Sequence, residues 1–183
     1  MTGTSDESTT SASTASASTT NAATSDAPST SAPSTNGQQP VQNALTLIMK
    51  IKSDADYQQL NTLLQQNWKP YEPGNVVGAA LNDLALVHFA RFVFLENNTK
   101  LALITSYDGN FSDYVNDFVD KIAFFFNALL QHMEGAPPLP VEQNRQQFIQ
   151  YAQDNNAPII EPFYSAYPKL TVLDIQANAQ SNS

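Results

Sequence analysis

Two histidines, His88 and His132, are the only imidazole side chains in this sequence. Haem iron needs at least one axial ligand, usually His, Cys, Met or Tyr, so both histidines are candidate haem ligands. A zinc site needs three or four convergent ligands, and the chain has no cysteine to complete one, so we predict no metal site. The structural alternatives are a hydrogen-bonded core residue for His88 and, for His132, a cation that complements the end of a helix dipole.

Arg91 and Asp108 are the charged candidates on the same predicted sheet. Arg91 could clamp an anion or a carboxylate, or it could form a structural ion pair with Asp108. We favour the ion pair, because a lone buried charge is costly. Asp108-Gly109 is also typical of a sharp exit from a strand into a helix. His88 and Arg91 are three positions apart on a predicted strand, so their side chains should point to opposite faces.

Composition divides the 183-residue chain near Pro40. Residues 1–40 contain 20 Ser or Thr residues and no aromatic residue, Val, Ile, Leu, Lys or Arg. Such a segment cannot bury enough apolar surface to offset the entropy of ordering. We therefore expect a disordered tail over 1–40, one folded domain over 41–178 and a frayed C-terminus over 179–183.

Charge argues against several classes of partner. The net charge is −9, and the eight basic residues are scattered singly beyond residue 49, so no basic cluster is present to bind nucleic acid or an anionic membrane surface. No apolar run is long enough to span a bilayer. The N-terminus has neither the positive region nor the apolar region of a secretory signal, so we expect a cytoplasmic protein.

Hydrophobic periodicity predicts the elements that would position these residues. Alternation from Leu45 to Lys52 predicts a strand, and Ser53 and Pro70 bound a helix. For residues 75–84 the pattern fits either a short helix or a loop. Further along, the pattern predicts two strands over 86–95 and 101–107 joined by a hairpin turn. It then predicts a long helix over 112–133, a smaller helix over 140–156 and a last strand over 170–175.

The order β-α-β-β-α-(α)-β predicts an α+β fold of the ferredoxin-like type, with helices on one face of an antiparallel four-stranded sheet. The strand over 86–95 is apolar on both predicted faces: Val87, Phe89, Val93 and Leu95 on one, and Ala90, Phe92 and Phe94 on the other. Monomers rarely expose a large apolar patch, so the second face should be covered by another copy, the extra helix or an apolar ligand. Phe124 lies outside the core stripe of its helix and could meet a partner chain.

Three segments resemble a family of mostly uncharacterised bacterial proteins. They are His88-Phe89-Ala90-Arg91-Phe92, Thr105-Ser106-Tyr107-Asp108-Gly109, and Phe163-Tyr164-Ser165-Ala166-Tyr167-Pro168 followed by Leu170-Thr171-Val172. The resemblance spans about residues 44–178. That family resembles the dimeric α+β barrel superfamily, in which two ferredoxin-like sheets pack face to face, which implies a homodimer through the open sheet face. The candidates for a ligand pocket are His88, Arg91, Asp108, His132, Tyr164 and Tyr167.

Fold does not fix function, so the resemblance leaves open whether the protein is an enzyme. Our first expectation is an auxiliary protein that binds a small apolar ligand and no cofactor. The superfamily also implies two alternatives: a haem-binding protein related to dye-decolourising peroxidases and chlorite dismutases, and a cofactor-free monooxygenase or EthD-type enzyme. Asp108-Gly109 is similar to the distal Gly-x-x-Asp-Gly motif of those peroxidases, but Thr105 stands at its first glycine. The family often has a cysteine where this chain has Met133.

Overall fold

The computed structural model describes residues 41–181, which form an α+β domain. Its elements are β1 (Gln42–Lys50), α1 (Asp54–Asn67), α2 (Val76–Leu84), β2 (Val87–Leu95), β3 (Lys100–Asp108), α3 (Phe111–Leu130), α4 (Arg145–Asp154) and α5 (Val172–Ser181). The tail predicted over 1–40 lies outside the described residues. α5 continues to Ser181, so residues 179–181, for which we predicted fraying, are helical.

The sheet has three antiparallel strands in the order β1-β3-β2. The central strand β3 pairs with β1 from Gln42↔Asp108 to Lys50↔Lys100. β1 and β2 therefore run parallel to each other on either side of β3, as they would in a split β-α-β unit. The α+β class is confirmed, but residues 41–181 do not form the predicted fourth strand of a ferredoxin-like sheet.

The prediction of a last strand over 170–175 is wrong, because α5 begins at Val172. Thr171 Oγ1 accepts the Asp174 N–H at 3.1 Å, and the Asp174 carboxylate accepts the Thr171 N–H at 2.9 Å. This reciprocal pair acts as a capping box and starts a helix. A short apolar run cannot be assigned to strand or helix by periodicity alone, and here local capping decides.

Irregular backbone covers the outer edge of β1, where a fourth strand would pair. Ile48 donates its N–H to the Asn155 carbonyl at 2.9 Å, and Ala157 donates its N–H to the Thr46 carbonyl at 2.8 Å. The Asn156 side chain accepts the Thr46 N–H at 3.1 Å. These bonds satisfy the strand edge without a regular fourth strand.

Helices α1 to α4 pack on one face of the sheet. β1 presents Leu45, Leu47 and Met49 to this core. The Trp68 ring meets Phe92 of β2 edge to face, with 4.8 Å between ring centroids. Phe125 and Phe126 of α3 are buried, as their spacing predicts, whereas Phe124 is 49% exposed; these three residues follow a kink at Ile122.

Two helices clarify segments that the sequence left open or placed differently. Residues 75–84 contain α2, whose N-cap Asn75 accepts the Gly78 N–H at 2.9 Å. A Cβ at Gly78 would lie 2.2 Å from the Pro70 carbonyl oxygen, so only glycine fits this crossing. The smaller helix begins at Arg145, not near Pro140, because residues 140–144 form turns. In these turns Asn144 Nδ2 donates a hydrogen bond to the Pro140 carbonyl at 3.0 Å.

A bulge between Val87 and Phe89 changes the faces of β2. The extra residue turns Val87 toward the helices, where it packs with Phe92 and Phe94 against the core. The prediction that Val87 shares a face with Phe89 is therefore wrong, because a bulge shifts the two-residue alternation by one. From Phe89 onward the predicted alternation is kept.

The sheet face opposite the helices is called the open face below. Alternation places on it Ala44, Thr46 and Ile48 of β1, Ala102, Ile104 and Ser106 of β3, and Phe89, Arg91, Val93 and Leu95 of β2, with Lys50 and Lys100 at its far end. Phe89 is 80% exposed and Arg91 is exposed, while most of the others are partly buried. α5 covers little of this face, because every residue of that helix except Val172 and Ile175 is exposed.

Candidate functional site

His88 and Asp108 form a buried pair at one end of the sheet. His88 Nε2 lies 2.8 Å from Asp108 Oδ1, and the two side chains are 4% and 7% exposed. The pairing of β2 with β3 brings them together, because the bulged start of β2 lies beside the end of β3. The predicted ion pair between Arg91 and Asp108 is wrong, since His88 takes that carboxylate oxygen.

The second oxygen of Asp108 holds the C-terminal helix. Asp108 Oδ2 accepts the N–H of Val172, the first residue of α5, at 2.7 Å. A carboxylate is favourable at a helix N-terminus because it complements the dipole and satisfies a free donor. The predicted sharp exit from the strand is also present, because Gly109 has a φ of 83° just before α3. Asp108 thus joins the sheet to α5.

Gln42 is a buried polar residue that the sequence analysis missed. It is 7% exposed, and its Nε2 donates to the carbonyls of Tyr167 at 2.8 Å and Leu170 at 3.0 Å. Its Oε1 accepts from Ser165 Oγ at 2.9 Å. We call residues 163–171 the strap. The only sequence signal for Gln42 is its position, three residues before Leu45, where the apolar alternation of β1 begins.

The strap gives a structural role to the third segment of the family resemblance. Val41 adds a backbone bond to the Pro168 carbonyl at 3.0 Å. Tyr164 and Tyr167, two of the pocket candidates, are 90% and 60% exposed. The strap is therefore held through Ser165 and its backbone, while its tyrosine rings face solvent.

His132 forms a separate pair with Asp56, far along the chain. His132 Nδ1 lies 3.0 Å from Asp56 Oδ1, which joins the segment after α3 to the first turn of α1. Hydrogen bonds from Ser53 and then from His132 lower the pKa of the Asp56 carboxyl below its usual 3.8. The predicted role of His132 was to complement the end of a helix dipole, but in the structure His132 bonds to a carboxylate. The same Asp56 also donates its N–H to Ser53, the N-cap of α1.

Two shallow surface grooves lie on the helical side of the domain. One is lined by His132 together with Gln58, Gln59, Thr62, Leu63 and Gln66. The other is formed by residues 70–75 and the start of α2. None of the other five pocket candidates lines either groove. The structure therefore brings His88 and Asp108 together but places Arg91, His132 and the strap tyrosines elsewhere.

A cluster of buried tyrosines was not singled out by the sequence. Tyr107 and Tyr114 stack with 3.9 Å between ring centroids, and the Tyr114 hydroxyl lies 3.1 Å from Thr105 Oγ1. Burial raises the pKa of both phenols above their usual 10.0. Tyr151 in α4 is also buried, and burial raises its pKa to about 12. Its hydroxyl has no hydrogen-bond partner within residues 41–181.

Metal ligation finds no support in the described part of the chain. Within residues 41–181, no group of three or more His, Cys, Asp or Glu side chains could hold a metal ion. Each histidine instead has one ring nitrogen engaged by a single carboxylate. The haem alternative stays a prediction, since neither pair by itself tests axial ligation.

Comparison with known proteins gives no assignment. No protein-family model matches the chain, and neither a curated protein nor a solved structure matches it. The family resemblance therefore stays a prediction. No helix within residues 41–181 is both long and apolar enough to cross a membrane. The functional evidence comes from the sheet and its exposed side chains.

Proposed function

We propose that this domain is a non-catalytic binding module that forms a homodimer through its open face and encloses a small apolar ligand between the two sheets. The observation that carries the proposal is Phe89, which is 80% exposed on the open face of a nine-residue strand. Full burial of such a side chain contributes about 1.5–3 kcal/mol. Exposed apolar side chains on a continuous surface are typical of protein interfaces.

The chemistry of the open face suits a second copy of the same face. Its rows across the sheet combine Phe89 with Ser106 and Ala44, and Val93 with Ala102 and Ile48. A two-fold axis would place this surface against itself, so each Phe89 would be buried by the partner. Small side chains between large ones leave room for an apolar ligand beneath the partner sheet.

The end of the open face near Gln42 supports a bounded interface. The strap hydrogen-bonds to Gln42, and the first residue of α5, Val172, hydrogen-bonds to Asp108, so the chain already crosses that end. The uncovered part begins at the row of Phe89. Packing of two copies would therefore be limited to the rows from Phe89 toward Leu95.

Sedimentation velocity on the full chain tests the dimer. We expect a species of twice the 20.0 kDa chain mass that dissociates on dilution. Phe89→Asp should raise the dimer dissociation constant at least about 100-fold, because two rings per dimer lose their burial and each is replaced by a charge.

Phe124→Asp is the matched control, because Phe124 is 49% exposed on α3, on the helical side. It should leave the dimer unchanged while adding the same charge. A wild-type chain that stays monomeric at high concentration would contradict the proposal. Loss of the dimer in Phe124→Asp but not in Phe89→Asp would move the interface to the helices.

A further inference from the structure

We propose that Arg91 is a carboxylate clamp and that the ligand of the open face is an amphiphilic monocarboxylate, with an apolar chain and one anionic head. This inference rests on the proposed function, because it specifies the ligand and its effect on the dimer. Arg91 is exposed on the open face and is opposite Ile104 of β3. Arginine suits a carboxylate because its planar fork can donate two parallel hydrogen bonds.

The charge of the open face is positive, opposite in sign to the net charge of the protein. Residues 1–40 hold three of the 17 acidic residues, so the remainder carries a net charge of −6. In the sheet, however, the only acidic residue is Asp108, which is buried and bound to His88 and Val172. An acidic protein thus presents a cationic, apolar surface on this face.

Arg91 is also the basic residue of this sheet that lacks an acidic partner. Lys50 and Lys100 lie at the far end of the open face and pair with Glu134 at 2.8 Å and Glu96 at 2.7 Å. Arg91 forms no ion pair or side-chain hydrogen bond with any residue in the range 41–181. Its guanidinium is therefore available to an external anion.

Apolar side chains surround the clamp on the same face. Phe89 and Val93 are its neighbours along β2, and Ile104 lies across from it on β3. A ligand whose carboxylate contacts Arg91 would lay its chain over Val93 and Ile48, which flank the buried Ala102 in the next row of the sheet. This juxtaposition of one unpaired cation with neighbouring apolar side chains selects amphiphilic acids over neutral apolar molecules.

The clamp also links ligand binding to assembly. A face-to-face dimer would bring two Arg91 side chains into one interface, where an unpaired charge is costly. A bound carboxylate would neutralise each one, so the ligand should favour the dimer by mass action. Removing the charge should have the same effect without ligand.

Titration calorimetry on the full chain, with dodecanoate and dodecanol as probes, tests the clamp. The two probes share an apolar chain and differ in charge. Wild type should bind dodecanoate at least about tenfold more tightly than dodecanol, the discrimination expected from a charge-assisted hydrogen bond. Arg91→Met should bind the two probes equally and should dimerise more tightly than wild type without ligand. Lys121→Met, on the solvent side of α3, is the control that removes the same charge, and it should behave as wild type.

The outcomes separate this inference from the proposed function. Equal binding of both probes by wild type, or binding of neither, would overturn the clamp. Equal loss of discrimination in Lys121→Met would also overturn it, because net charge alone would then explain the effect. A wild-type monomer that discriminates the probes through Arg91 would refute the dimer and keep the carboxylate site.

Discussion

Replacing Asp108 by alanine tests whether the buried carboxylate holds the N-terminus of α5 against the sheet. Asp108 serves two groups at once: His88 Nε2 at 2.8 Å and the Val172 N–H at 2.7 Å. Alanine removes both hydrogen bonds and leaves His88 Nε2 and the Val172 N–H without this partner, in a region where the paired side chains are at most 7% exposed. We expect a large loss of stability together with release of α5.

The size of the loss follows from the two orphaned groups. A buried donor or acceptor left without a partner costs about 1–3 kcal/mol, so Asp108→Ala should lower the free energy of unfolding by about 2–6 kcal/mol. Domains of this size are stable by about 5–15 kcal/mol, so the variant should still fold. Asp108→Asn should lose less, because its amide oxygen can accept from Val172 while its NH2 donates to the other tautomer of His88.

Urea denaturation measures the global loss, and hydrogen exchange at the start of α5 measures the local one. Asp174→Ala is the matched control, since Asp174 closes the capping box of the same helix from an exposed position. It should fray α5 but leave the urea midpoint nearly unchanged. A loss below about 1 kcal/mol in Asp108→Ala, or unchanged exchange at Val172, would refute this role of Asp108.

Three further changes test the strap, the helix crossing and the buried phenols. Gln42→Ala should cost about 1–3 kcal/mol and speed limited proteolysis within residues 158–171, because three hydrogen bonds to the strap are lost; unchanged cleavage would contradict this. Gly78→Ala should cost about 1–3 kcal/mol by overpacking against Pro70, and an unchanged melting temperature would show that the crossing relaxes freely. Burial raises the Tyr151 pKa from 10.0 to about 12, so its stabilising contribution is complete below pH 10 and lost as the pH rises toward 12. Tyr151→Phe should reduce this alkaline loss and, because its lone hydroxyl has no partner in the described chain, should be neutral or stabilising at pH 7; destabilisation at pH 7 would indicate a bridging water.

Patterns with a single physical reading predicted their elements well. Alternation predicted the first strand, the hairpin of β2 and β3 followed from two apolar runs around Glu96–Thr99, and the long stripe of α3 placed Phe125 and Phe126 in the core. These signals succeed because burial of one face imposes its period on the sequence.

Predictions from the sequence were wrong where a single local contact decides the structure. Leu170–Ile175 could be strand or helix, and the Thr171–Asp174 box made it helical. The bulge at Val87 reversed the face of that residue, and it could not be read from composition. Among the site residues, the high cost of a lone buried charge predicts an ion pair between Arg91 and Asp108, but the bulged strand brings His88 to Asp108 instead.

Composition and residue order alone predict an acidic chain with one α+β domain and a strand that is apolar on both sides. They can do so because charge balance and hydrophobic periodicity are properties of the residues in order. Which groups meet is visible only in the folded domain: His88 pairs with Asp108, His132 with Asp56 and Gln42 with the strap, whereas Arg91 has no partner among residues 41–181. Such pairings depend on strand register, bulges and caps, which bring distant residues within hydrogen-bonding range and leave no periodic trace in the sequence.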